Sequence, residues 1–273
     1  MIRDITLGQF FPGHSLLHRA DPRVKIILSI LYIVLVFLAD SVSGYLFLVL
    51  FTALLIAISG IPVSTLVKSL KPLLFIVLFT SVINVFWNRE GELLVSFWKI
   101  AIYSGGVFTA VFMTVRIMML LLGTGVILTY TTSPIALTDA MERLLSPLKV
   151  LHIPVHDFAM MMTIALRFIP TLLEETDKIM NAQKARGADF STGSLGQRAK
   201  ALIPVLIPLF ISAFRRADEL AVAMESRCYR GGKGRTRMTS LHLHALDFVL
   251  LFVLALAGAG IVLCNRFVPI YAI

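Results

Sequence analysis

Apolar residues in this chain fall into long blocks: 26–39, 45–59, 72–87, 104–130 and 245–264. A helix needs about 20 apolar residues to cross the hydrocarbon of a bilayer, and these blocks approach or exceed that length. The first block is short, but Arg23 and Lys25 precede it and can snorkel to lengthen it. Gly60 and Pro62 end the second, and Trp87 closes the third at a position that suits a membrane interface. The fourth is long enough to cross at a tilt. The pattern predicts an all-α integral membrane protein of about five transmembrane helices, with an N-terminal membrane bundle over 1–130 and a C-terminal membrane helix over 245–273.

Between them, 131–244 reads differently. It predicts a short amphipathic helix over 134–151 whose polar face carries Asp139, Glu142, Arg143 and Lys149, then two long helices over 155–186 and 195–227. Each long helix opens apolar and turns charged, from Glu174 in one and Arg215 in the other, and Pro170, Pro204 and Pro208 should bend them. A cytoplasmic segment fits this design. The rival reading makes both apolar halves into membrane hairpins, against which stand Asp157 and Arg167, ionisable groups that are costly in hydrocarbon.

Composition agrees with the pattern: 58% of residues are hydrophobic and 15% charged, where a soluble domain has about 45–50% and about 25%. Mean hydropathy is +0.87. The net charge of +9 raises the question of a nucleic-acid partner, but the placement of the charges argues against it. Of 25 Lys and Arg, 21 fall on one side of the predicted spans, and Arg89, Lys99 and Arg266 on the other, with Arg116 inside the fourth. That bias predicts a multi-pass plasma-membrane protein with its N-terminus in the cytoplasm and its C-terminus outside. The first 22 residues are polar and turn-rich, so the first apolar block is expected to act as its own insertion signal. Cys228 and Cys264 lie in unlike settings and form neither a disulfide framework nor a zinc site.

The two long helices end alike. One closes with Ala185-Arg186-Gly187 and the other with Ser226-Arg227-Cys228, followed by Arg230 and Gly231. Each puts an Arg where unpaired helix carbonyls carry partial negative charge, and Gly187 suits a left-handed terminating position. A single such end is ordinarily a cap. Two on similar helices suggest basic tips for an acidic groove, since the Arg fork pairs carboxylates bidentately.

These ends resemble the two Arg signatures of the T component of energy-coupling factor (ECF) transporters, the EcfT/CbiQ family: Ala185-Arg186-Gly187 the first, and 223–232 the second. The opening 11–23, Phe-Pro-Gly-His-Ser-Leu-Leu-His-Arg-Ala-Asp-Pro-Arg, is similar to the family's N-terminal pattern. The resemblance covers nearly the whole chain. It implies a coupling scaffold that joins two cytoplasmic ATPase subunits to a substrate-binding membrane subunit, the S component, for vitamin or micronutrient uptake. It implies that each Arg signature docks in one ATPase, through Ala185, Arg186 and Gly187 and through Ser226, Arg227, Cys228 and Arg230. ATP and magnesium would be bound by those partners, with no cofactor on this chain. Ser226 and Cys228 depart from the family's Ala and Gly, and a left-handed backbone at 228 would suit Cys less well.

Other residues give weaker signals. Met160, Met161 and Met162 open an apolar helix face; Met-rich faces usually pack, but they also make adaptable contacts, here an S-component surface. Arg116 is expected to be held by neighbouring carbonyls rather than by a partner. The six histidines do not form a metal set; His242 and His244 have no third ligand nearby in sequence and read as interfacial anchors. Gly232-Lys233-Gly234 lacks the spacing of a phosphate-binding loop, so ATP hydrolysis is expected in partner chains and the chain is not expected to be an enzyme. Two alternatives stand: the T component of a dedicated cobalt or nickel importer, and a membrane-embedded enzyme, for which the spans offer no clustered carboxylates or histidines.

Overall fold

A computed structural model of the protein describes residues 10–88, 91–97, 100–190, 192, 194–231 and 241–267. The chain forms two compact units, one of Gly8–Leu137 with Leu241–Ile273 and one built on Thr138–Ser240.

The first unit is a helical bundle. A single turn, α1 (Leu16–Arg19), is capped by Ser15. Asp21 then caps α2 (Pro22–Phe37) by accepting the Arg23 N–H, with Pro22 at the first position, where a missing donor costs nothing. Ser41 caps α3 (Val42–Ser59) in the same way, and Gly60, at φ 68°, ends it in the left-handed conformation. The next helix, α4 (Val63–Trp87), carries Pro72 inside it. An antiparallel hairpin of β1 (Leu93–Phe97) and β2 (Ile100–Tyr103) leads into α5 (Ser104–Thr124), which continues as a π-helical turn over Gly125–Thr129. The unit is completed by α9 (Ala245–Phe267).

Its core forms around Tyr32, which is fully buried. The Tyr32 hydroxyl lies 2.8 Å from that of Thr52 and donates to the Met119 carbonyl at 3.0 Å, so α2, α3 and α5 meet at one polar point among Leu28, Leu35, Leu48 and Ile261. Gly123 admits the ring: a Cβ there would overlap it. At one end of the bundle Asp21 meets Asp247. At the other, Asn265 accepts from the Ser41 hydroxyl and donates to the Leu38 carbonyl. Thus α2 and α9 run parallel. The outward face is apolar, with Phe75 76% and Leu78 66% exposed on α4, the inverse of a water-soluble bundle and the pattern that lipid requires.

Among the described residues, five helices are long and apolar enough to cross a membrane: Val42–Ser59, Val63–Trp87, Ser104–Thr129, Gly196–Ser226 and Ala245–Phe267. This set differs from the predicted one in two places. With 16 residues, α2 spans only about 24 Å, short of a hydrocarbon core of about 30 Å. The expected snorkelling of Lys25 does not occur: the side chain is 1% exposed and turns inward, where its ammonium donates to the carbonyls of Thr131 and His18. The helix containing 196–226 qualifies instead by composition. The third predicted span also starts earlier, at Val63, because nothing between Val63 and Pro72 breaks the helix.

The second unit opens with α6 (Pro134–Leu144), which begins just before it. The expected single helix over 134–151 breaks after Leu144 into a 3-10 turn over Ser146–Leu151, because Pro147 cannot donate to the carbonyl four residues back. Glu142, nearly buried, accepts from or is paired with His156 Nδ1 at 2.9 Å and so ties α6 to the next helix. That helix, α7 (Val155–Ala185), contains Pro170, and α8 (Leu195–Ser226) contains Pro204 and Pro208. A reciprocal capping box between Ser194 and Gln197 starts α8.

Candidate functional site

Contacts between α7 and α8 follow an antiparallel order. The Gln183 side chain donates to the Pro204 carbonyl at 3.4 Å. That carbonyl is available because Pro208, four residues on, has no N–H to give it. Further along, Glu175 accepts from the Ser212 hydroxyl and pairs with Arg216 at 2.8 Å. Beyond that pair, Ile164, Phe168 and Leu172 of α7 and Leu220 and Met224 of α8 line an apolar cavity of about 390 Å³. Each step back along α7 is thus matched by a step forward along α8. The two C-terminal ends therefore lie at opposite ends of the pair, separated by about 25 helical residues or roughly 40 Å.

Both ends terminate in one hydrogen-bond pattern. At the first, Arg186 is the C-cap; Gly187 N–H donates to the Lys184 carbonyl and Ala188 N–H to the Gln183 carbonyl, each at 3.0 Å. At the second, Arg227 is the C-cap; Cys228 N–H donates to the Glu225 carbonyl at 2.8 Å and Tyr229 N–H to the Met224 carbonyl at 3.0 Å. These are two Schellman motifs, whose next residue must be left-handed. Gly187 has φ 89° and Cys228 φ 55°. The second signature thus keeps the backbone of the first without its glycine, and Cys228 carries the steric cost of that conformation.

Ala185, Arg186 and Gly187 are exposed, as are Ser226, Arg227, Cys228 and Arg230. Neither Arg186 nor Arg227 makes a side-chain hydrogen bond or ion pair among the described residues. Ser226 donates back to the Val222 carbonyl at 2.8 Å and is occupied within its own helix. Arg230 joins Lys149, His156 and Asp157, with Ile153 and Val155, around a mixed hollow of about 360 Å³, so it stands apart from the Arg227 cap while remaining at the same end of α8. Gly232, Lys233 and Gly234 lie outside the described residues.

The methionine face is uneven. Met160 is half-buried, whereas Met161 is 58% and Met162 41% exposed. A larger apolar surface lies on α8, where Ile203, Ile207, Phe210, Ile211 and Phe214 are all exposed and the last Phe stacks on Phe210 at 6.3 Å. Sequence reading passed over this stripe, although the helical spacing of those residues gives one continuous face. Arg116 is absorbed locally: it donates to the Ala39 carbonyl at 3.2 Å, lies 3.9 Å from Asp40, and sits over the rings of Phe37 and Tyr45.

Comparison with known proteins identifies the family of the chain. A family described as CbiQ, Cobalt transport protein, matches residues 13–238. The chain is 55% identical over 247 residues to the energy-coupling factor transporter transmembrane protein EcfT of Ruminiclostridium cellulolyticum, covering 90% of this chain and 92% of that one. It is 54% identical over 250 residues to the EcfT of Clostridium kluyveri, covering 91% and 92%. It is 48% identical over 241 residues to the EcfT of Bacillus subtilis, covering 88% and 91%. The family match takes in most of the N-terminal motif, α1 to α5 and both Arg-capped helices, and the chain therefore belongs to the CbiQ family as a multi-pass transmembrane component of the energy-coupling factor type.

Proposed function

We propose that this chain couples two ATPase subunits to a substrate-binding membrane subunit, with Arg186 seated in one ATPase and Arg227 in the other. The observation that carries this reading is the repeated end: the same Schellman motif, with the same exposed Arg at the C-cap, on two antiparallel helices of one unit. A cap needed only to finish a helix gains about 0.3–1 kcal/mol from its charge beside the terminal carbonyls and has no reason to recur on both helices with a guanidinium that no described residue engages. Two tips roughly 40 Å apart suit two separate docking grooves better than one. ATP and its magnesium belong to those ATPases, so the chain works as a non-catalytic subunit.

The charge bias supports an orientation with 131–244 at the cytoplasmic face, the N-terminus inside and the C-terminus outside, which requires α2, parallel to α9, to cross as a short first span in a locally thinned bilayer. Although α8 is apolar enough to span, it carries Arg198, Lys200, Arg215 and Arg216 along its length. We therefore place it along the membrane surface, with its apolar stripe and the exposed Met161 and Met162 turned toward a membrane-embedded partner. That partner selects the cargo. The resemblance of the Arg signatures to those of the T component implies a vitamin or similar micronutrient; the family description as a cobalt transport protein favours a metal-ion importer as the second reading.

The test is to purify the tagged chain from its native membrane in mild detergent and identify by mass what accompanies it. Two nucleotide-binding ATPases and a small membrane protein are expected. Recovery of the chain alone, with ATPase activity of its own, would contradict the proposal. A metal-binding small subunit would decide for the second reading.

A further inference from the structure

The N-terminal motif at 11–23 has no part in the docking ends, yet it organises the most heavily buried charge in the described chain. Lys25 is 1%, Asp21 4% and Asp247 1% exposed. Burying such groups is costly unless they are hydrogen-bonded or paired, and here each is held by hydrogen bonds. Lys25 Nζ donates to the Thr131 carbonyl at 2.8 Å and the His18 carbonyl at 3.2 Å. Asp247 accepts the Asp21 N–H on one oxygen and the His244 N–H on the other, each at 2.8 Å. Arg23 pairs with Asp21 at 2.7 Å and donates to the Leu241 carbonyl at 3.3 Å. The two acids and two bases balance.

What these bonds hold is specific. The chain leaves the bundle unit after Leu137 and returns at Leu241. Thr131 lies on the outgoing connection, and Leu241 and His244 lie on the returning one. The first turn of α2 grips both, and the Phe11 N–H, bonded to the Tyr130 carbonyl at 2.9 Å, adds the N-terminal segment to the outgoing side. An apolar core could have packed these segments together, but it would hold them without direction. Charged side chains that hydrogen-bond to defined backbone groups fix position along each connection.

We propose that Lys25, Arg23, Asp21 and Asp247 form a mechanical clamp: they fasten both connections of the inserted segment 138–240 to the membrane bundle, so that work delivered to that segment moves it against a fixed anchor. This rests on the function proposed above, in which the segment receives work from ATPases. Loss of the clamp lets the segment shift without transmitting the movement.

The test uses the whole complex in proteoliposomes, with internal ATP. The cargo probe is whichever tritiated water-soluble vitamin, or radioactive Co²⁺, the wild-type complex accumulates. Lys25→Met and the charge-balanced Lys25→Met/Asp247→Asn should still assemble with the ATPases and hydrolyse ATP within about twofold of wild type, while cargo moved per ATP falls about tenfold. Lys25→Arg, which keeps charge and donors, should retain most of the coupling. Hydrogen exchange at the Asp21 and His244 amides should rise in the first two variants and not in the third. Parallel loss of assembly, hydrolysis and uptake in both disruptive variants would reduce the cluster to a folding element and overturn the clamp; so would unchanged cargo per ATP. Failure of the wild-type complex to assemble would instead contradict the proposed function, which separates the two.

Discussion

Cys228 adopts φ 55°, a left-handed conformation that Gly187 reaches without penalty at the matching position on α7. Replacing Cys228 with Gly should relieve strain of about 1 kcal/mol and slow amide exchange at Cys228 and Tyr229, with docking unchanged. Cys228→Val should do the reverse, since a β-branched residue is poorly tolerated there. Gly123 is constrained from outside: Gly123→Ala would drive a methyl into the ring of Tyr32, which Thr52 and Met119 hold in place. That overpacking should cost about 1–3 kcal/mol, read as a lower melting temperature in detergent, and Tyr32→Leu should partly rescue it. Arg186 and Gly187 were legible because glycine after a basic helix end announces its own conformation. Asp247 was not. A single acid at the start of an apolar helix looks like an anchor, and its partner Asp21 lies 226 positions away in sequence.

The two long helices were readable as elements because each switches from apolar to charged within one periodic run, and their ends fell within one residue of the predicted ones. The hairpin β1–β2 was not, because 93–103 is short, apolar and flanked by a long span, and no turn motif marks it. Lys25 shows a further limit: a basic residue beside a short span reads as snorkelling, and only packing reveals two carbonyls pointed at it. Within α8, Pro208 frees the Pro204 carbonyl that Gln183 then engages. Pro208→Ala would restore a backbone donor to that carbonyl, release Gln183 and straighten α8. The helix itself should become more stable by up to about 3 kcal/mol. The Arg227 tip should be re-aimed, so that ATPase binding weakens although no docking residue has changed. Unaltered binding in a co-purification assay would show that the bend does not set the tip's direction.

At the scale of the whole molecule, an apolar bundle carries a basic inserted segment whose exposed Arg caps sit at opposite ends of a helix pair. The balance of Lys and Arg predicts that a cysteine placed at 190, in a chain carrying Cys228→Ala and Cys264→Ala, reacts with membrane-impermeant maleimide only from the inside of sealed vesicles. The central claim concerns the two tips together. Arg186→Glu should weaken recovery of the ATPases, and Arg186→Glu with Arg227→Glu should abolish it, since each lost charged contact costs roughly 3–5 kcal/mol. The decisive measurement is the amount of ATPase that co-purifies with the membrane-inserted double variant, relative to wild type at equal chain yield. Near-complete loss of both ATPases is the expected result. Wild-type recovery, with uptake intact, would contradict the account.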